Sequence, residues 1–282
     1  MAVGARVLTA LAPAKLNLFL HVLGRRPDGY HILQTAFRML DWGDRLRFSV
    51  RDDGVVSRAR DMPGVPAETD LVIRAARRLQ DWAGVTQGVD IDVAKVLPMG
   101  GGLGGGSSDA ATTLLALNRL WGVGASRRQL QALGLELGAD VPFFIYGRTA
   151  FAEGIGERFE PLTMAPSWYV VVWPGVGVPT AEIFAAKELT RNSKAIKMPT
   201  FAMHATRNDL EPVARARYPQ VGAAIDWLSA YAPARMTGSG ACLFAEVGDQ
   251  QQAHDIAGAC PDTWQAWPVR SLDTHPLAGW AA

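Results

Sequence analysis

The run Pro98-Met99-Gly100-Gly101-Gly102-Leu103-Gly104-Gly105-Gly106-Ser107-Ser108 puts six glycines into seven positions. Glycine costs backbone entropy inside a helix or strand and adds no packing, so such a run belongs where backbone must come close to something else. An ordinary strand-to-helix turn needs only one or two glycines. Bare amides at the start of a helix suit a phosphate. The Walker A pattern is excluded, because Ser107 follows Gly106 directly and no lysine intervenes. Gly100, Gly102 and Gly105 satisfy G-x-G-x-x-G, but a dinucleotide site also requires another strand and an acidic residue about 20 positions on. Instead, Ala125-Ser126-Arg127-Arg128-Gln129 opens a second helix with a Ser126/Gln129 capping box.

The other candidates are polar groups in apolar surroundings. Lys15, Asn17, Phe19 and His21 alternate with Leu16, Leu18, Leu20 and Val22, which predicts a half-buried strand with a wet face. Tyr30 and His31 leave a Pro27-Asp28-Gly29 turn. They read either as packing and solvation or as an aromatic face and polar ring suited to a planar base. Asp140 stands before the apolar Val141-Pro142-Phe143-Phe144-Ile145-Tyr146, as a turn residue or as a positioned base. Thr237-Gly238-Ser239-Gly240-Ala241 is a second small-residue loop ahead of a strand, and by itself reads equally as a tight connection.

The elements that must position these groups follow from patterning. A strand is predicted before the glycine run, over Val89 to Leu97, and a helix after it, over Asp109 to Trp121, with Ser107, Ser108 and Asp109 supplying cap chemistry. Strands are also expected over Leu33 to Leu40, Arg45 to Val50, Thr149 to Glu153 and Trp168 to Pro174. Asp52 to Gly64 reads as a surface loop and Arg191 to Met203 as irregular. Thr69 or Asp70 caps a helix to about Ala83, and Arg127 to Gly138 is a further helix. Thr180 to Glu188 and Val221 to Tyr231 read as helices, and another helix begins at Asn208 to Pro212. Pro166 marks a boundary between units 1–165 and 166–282. The last twenty residues carry little signal.

At 282 residues and 49% apolar, the chain can bury the cores of two domains, which excludes disorder. A net charge of +1 argues against a general nucleic-acid or membrane-surface binder. Cys242 and Cys260 have no motif spacing, so a reducing cytoplasm is the expected setting. No apolar run is long enough for a membrane span, and Val7 to Ala14 is too short for a signal peptide.

Three stretches together resemble the GHMP kinase superfamily: Pro13 to Leu18, the loop Pro98 to Ser108, and Thr237 to Ala241. Within it, Gly24 to His31, Gly138 to Phe144 and Asn208 to Glu211 resemble the branch acting on 4-diphosphocytidyl-2-C-methyl-D-erythritol. The resemblance runs from about residue 10 to about 248. It implies an α+β fold in two lobes, the first like ribosomal protein S5 domain 2 and the second ferredoxin-like, with the active site between them. It implies transfer of the ATP γ-phosphoryl group to the substrate 2-hydroxyl, in the non-mevalonate route to isoprenoid precursors. Lys15 and Asp140 are then the catalytic pair, with Asp140 accepting the alcohol proton. Pro98 to Ser108 (Pro98, Met99, Gly100, Gly101, Gly102, Leu103, Gly104, Gly105, Gly106, Ser107 and Ser108) binds ATP. Lys95 is either an ordinary strand lysine or a neighbour of the nucleotide. Cytosine is expected between Tyr30 and Phe184 with His31 on its polar edge, Asn17 facing the methylerythritol, and Gly240 near the substrate phosphates. Mg²⁺ is expected with ATP, Ser108 being its candidate contact. Both monomer and homodimer remain open. The alternatives are a homoserine- or mevalonate-type kinase of the same superfamily, and a catalytically inactive binding protein of that fold.

Overall fold

A computed structural model describes residues 6–61, 65–197 and 206–281. Residues 62–64 of the expected surface loop and 198–203 of the expected irregular stretch lie outside the described residues. The framework of the N-terminal lobe is a long hairpin of β1 (Val7–Arg25) and β2 (His31–Arg51). Its turn closes through Gly29, whose φ of 90° suits glycine, and through Asp28 Oδ1 accepting the Tyr30 amide at 3.2 Å. The two strands expected over Leu33 to Val50 are one. Gly43 lets it run on past Asp41 to Asp44, because a Cβ there would strike the Ala12 carbonyl.

The predicted wet face of β1 does not exist. Register shifts between Pro13 and Lys15 and between Asn17 and Phe19 break the two-residue alternation, and Ala12 to Val22 is buried on both faces. Lys15, Asn17 and His21 are therefore interior polar residues. β3 (Val56–Arg58) lies in the expected surface loop and pairs in parallel with β4 (Gly88–Ala94). β4 and β5 (Ala150–Gly154) pair with β2, and β6 (Arg158–Pro161) pairs with β5.

Helices α1 (Leu71–Ala83), α2 (Gly105–Leu120), α3 (Arg127–Leu137) and α4 (Val141–Tyr146) cover this sheet. Asp70 caps α1 by accepting the Val72 amide at 2.9 Å, and the Ser126/Gln129 capping box opens α3. From Ser108 to Asn118 every residue of α2 is buried, which makes it the central helix of the lobe.

The second lobe runs β7 (Trp168–Trp173), α5 (Thr180–Ala185), α6 (Glu211–Arg217), α7 (Pro219–Ser229), β8 (Ala234–Met236), β9 (Leu243–Val247), α8 (Gln250–Gly258) and β10 (Gln265–Leu272). Its spatial order β10-β7-β9-β8 is the ferredoxin-like arrangement. The tail that carried little signal joins the lobes. Ser271 and Leu272 of β10 pair with Leu40 and Met39 of β2. Arg127 Nη2 then donates to the Ala278 carbonyl at 2.5 Å, and Asn118 Nδ2 to that of Trp280 at 3.0 Å. Among the described residues no helix is long and apolar enough to cross a membrane.

Candidate active site

The glycine run faces a cleft of about 540 Å³ between the lobes. Its helix starts earlier than expected: Gly104, at φ 73°, occupies the N-cap position, and Gly105 to Ser108 form the first turn of α2. Ser107 and Ser108 are thus helical residues and not caps. No side chain caps this end, so the first amides of α2 are left for a ligand.

The loop is turned by its carbonyls. Gly100 and Gly101 accept from the amides of Ala241 and Cys242 at 3.3 and 3.0 Å. Gly102 accepts from Lys15 Nζ at 2.8 Å, and Leu103 from the Lys15 amide at 3.0 Å. With four successive carbonyls held by protein, the amide edge is left for the cleft. Thr237 to Cys242 therefore serves as the underside of the phosphate loop. A Cβ on Gly102 would collide with the Thr237 carbonyl, and one on Gly104 would lie 3.1 Å from Lys15 Cε and 3.0 Å from Phe144 Cζ. Side chains are excluded here by close approach as well as by backbone angle.

Lys15 and Asp140, 125 positions apart in sequence, meet beneath this loop. Lys15 Nζ stands 3.4 Å from Asp140 Oδ2 and 2.5 Å from Asn17 Oδ1. The lysine side chain is 3% exposed and the aspartate 36%. Asp140 sits at the N-cap position of α4, yet its carboxylate makes no capping hydrogen bond. It is free of the structural task that a turn residue would have, and it lines the cleft. Asn17 Nδ2 donates to Thr35 Oγ1 at 2.9 Å, which orients its oxygen toward the lysine.

Lys95 lines the cleft beside the loop, between two carboxylates. It pairs with Asp44, and with Asp109 at 2.9 Å. Asp44 is fully buried and also accepts the Val96 and Leu97 amides at 2.6 and 2.9 Å, fixing the entry to the loop. Asp109 fixes the exit, from just after the first turn of α2. Burial pushes its carboxyl up to about 7; Lys95 opposes that shift and Asp44 adds to it. Burial alone would lower the Lys95 ammonium, but Asp109 and Asp44 together hold it above its ordinary value.

Phe184 lines the cleft and packs on the His31 ring, with centroids 4.9 Å apart and planes at 32°, while neither His31 nor Tyr30 is among the residues that line it. Tyr30, 58% exposed, makes no ring contact with Phe184 among the described residues. Gly240 is turned away: its amide donates to the Thr237 carbonyl at 3.0 Å, and Gly238 and Ser239 are the loop residues that line the cleft. Ser239 Oγ lies 2.6 Å from Thr180 Oγ1. The sequence reasoning missed Ser239, Thr180, Asp44 and Arg191. Ser239 alone had a signal, its place in the small-residue loop. The hydroxyl of Ser108 is buried without a hydrogen-bond partner among the described residues, while Ser107 lines the cleft.

Comparison with known proteins agrees with this architecture. A profile described as GHMP kinases N terminal domain matches residues 70–148, and one described as GHMP kinases C terminal matches residues 185–266. A 4-diphosphocytidyl-2-C-methyl-D-erythritol kinase of Aromatoleum aromaticum is 65% identical over 275 residues, covering 98% of this chain and 97% of its own. One from Azoarcus sp. is 63% identical over 268 residues, covering 95% of each. A crystal structure of 4-(cytidine 5'-diphospho)-2C-methyl-D-erythritol kinase superposes with a TM-score of 0.81 at 36% identity, over 94% of this chain and 99% of that one. The two-lobed fold is that of a GHMP kinase. Within that class the chain belongs to the 4-diphosphocytidyl-2-C-methyl-D-erythritol kinase family.

Proposed function

We propose that this chain transfers the γ-phosphoryl group of ATP to the 2-hydroxyl of 4-diphosphocytidyl-2-C-methyl-D-erythritol, in the non-mevalonate route to isoprenoid precursors. The observation that carries the reading is the Lys15–Asp140 pair under a glycine loop whose carbonyls from Gly100 to Leu103 are held by protein donors. Asp140 takes the hydroxyl proton as the oxygen attacks the γ-phosphorus, and the bond to the β-γ bridging oxygen breaks to release ADP. Lys15 pairs with the carboxylate and offsets charge on the alkoxide. Asn17, bonded to Lys15, faces the methylerythritol. The loop amides and the start of α2 hold the phosphates.

Mg²⁺ enters as part of the MgATP substrate, with phosphates and water supplying most of its ligands. Asp140 and the Ser108 hydroxyl, which has no hydrogen-bond partner among the described residues, are oxygen donors beside the loop. Lys95 serves the nucleotide end by holding both ends of the loop. Tyr30, His31 and Phe184 receive the cytosine. Gly240 acts by shaping its loop, and Gly238 and Ser239 face the substrate phosphates. The nucleotide-binding and catalytic groups belong to residues 1–165, and residues 166–282 complete the substrate side. The reaction belongs to the cytoplasm.

The test is a phosphoryl-transfer assay with ATP across candidate alcohols, including the cytidylyl substrate, homoserine and mevalonate. Turnover of the cytidylyl substrate alone is expected. Preference for homoserine or mevalonate would move the chain to a neighbouring kinase class, and ATP binding without turnover of any alcohol would mark an inactive relative.

A further inference from the structure

Arg191 belongs to the polar stretch that the sequence left unassigned, and its guanidinium is almost wholly committed. Nη2 donates to the carbonyls of Phe184 and Ala186 at 2.9 and 2.7 Å, and Nη1 donates to that of Leu189 at 3.2 Å. These bonds tie it to the end of α5 and the turn that follows. They leave Nε, which donates to His31 Nε2 at 3.2 Å across the lobe boundary. An arginine in a protein donates and never accepts. His31 Nε2 must therefore be the unprotonated nitrogen, and the ring proton sits on Nδ1. Burial first, then Arg191 and Arg25, hold the imidazole below its ordinary pKa, so the neutral ring is the form present near neutral pH. The same ring packs on Phe184, tilted by 32°.

We propose that Arg191 is a positioning residue that sets base selectivity, by fixing His31 as a hydrogen-bond donor at Nδ1 toward a bound pyrimidine. The proposal rests on the functional reading above, in which cytosine lies beside His31 and Phe184. Cytosine and uracil share the acceptor at O2 and differ at N3, an acceptor in cytosine and an N–H donor in uracil. A fixed Nδ1–H pairs with cytosine N3. Against uracil it sets donor against donor, and a buried donor left unpaired is where discrimination comes from. Were the ring free to change tautomer, it could present an acceptor to uracil and the penalty would fall.

Two measurements test this. Nitrogen-proton correlation NMR on the unmodified protein reads the His31 tautomer directly; a proton on Nδ1 is expected, and a proton on Nε2 overturns the proposal whatever any variant does. The second compares kcat/KM for the cytidylyl substrate and its uridylyl analogue in the unmodified protein and in Arg191→Met. The ratio is expected to fall by ~10-fold or more in the variant, through the substrate KM, with the ATP KM unchanged. If Arg191 only holds α5 in place, both pyrimidine substrates weaken equally and the ratio stays, which also overturns it. Should Arg191→Met fail to fold, the tautomer decides alone. A failure of the functional reading looks different, since the unmodified protein would then turn over neither pyrimidine substrate.

Discussion

Lys15 Nζ lies 3.4 Å from Asp140 Oδ2 while the same ammonium donates to the Gly102 carbonyl at 2.8 Å. One buried cation thus links the proposed base to the phosphate loop. On the proposed function this single group would position both the carboxylate and the γ-phosphate, so substitution at the aspartate, but not at the lysine, is expected to separate chemistry from nucleotide binding.

Asp140→Asn keeps the shape and a contact to Lys15 but removes the proton acceptor. It is expected to lower kcat by about 10²-fold or more while leaving the ATP KM within a few-fold. Steady-state kinetics with both substrates decides this, and near-normal turnover would remove Asp140 from the mechanism.

Gly104→Ala forces a side chain into the left-handed region at φ 73° and onto Lys15 and Phe144. The backbone alone costs about 1–2 kcal/mol. The expected result is a raised ATP KM with a smaller change for the alcohol substrate, read from two-substrate kinetics. An unchanged ATP KM would mean that the loop does not carry the phosphates.

Tyr30→Ala removes an exposed ring from the proposed cytosine site. Stacking on a base contributes roughly 1–3 kcal/mol, and the exposure of Tyr30 favours the lower part of that range. The KM for the cytidylyl substrate should rise with that for ATP unaltered. Equal rises in both would contradict the stacking role.

The Asp109 carboxyl stands at about 7 in the folded protein, against about 4 unfolded. A raised acid binds more protons folded than unfolded, so its contribution to stability is complete below about pH 4 and is lost as pH rises toward about 7. Asp109→Asn removes that dependence. Urea melts across this range should show the variant gaining on the unmodified protein from about pH 4 to about pH 7, then holding level. A constant difference across the range would show that Asp109 does not titrate there.

The glycine loop, the α1 cap at Thr69 or Asp70 and the capping box at Ser126 were legible because each depends on neighbours in the chain, while the α+β class followed from the family resemblance. Local backbone preference and local hydrogen bonding fix them before any long-range contact forms. The C-terminal strand β10 was not legible, since its Trp- and Pro-bearing sequence has no clean period and its pairing partners lie some 95 to 230 positions away, at β7 and β2. The start of α2 was misplaced by four residues because glycines that disfavour a helix alone are tolerated in a first turn backed by Lys15, Leu97 and Lys95.

Residue types by themselves determined a glycine loop at the start of a helix, with bare amides that suit a phosphate, while the roles of the lysine, the aspartate and the aromatic turn came from the family resemblance. Which way those amides face was decided only when Thr237 to Cys242 from the other lobe took the loop carbonyls. That Lys15 is interior, that it meets Asp140, and that Arg191 donates to His31 were settled in the same way, by strand irregularities and contacts between distant segments. Two-residue alternation carries no information about a bulge, and side-chain type carries none about the partner that will select its proton.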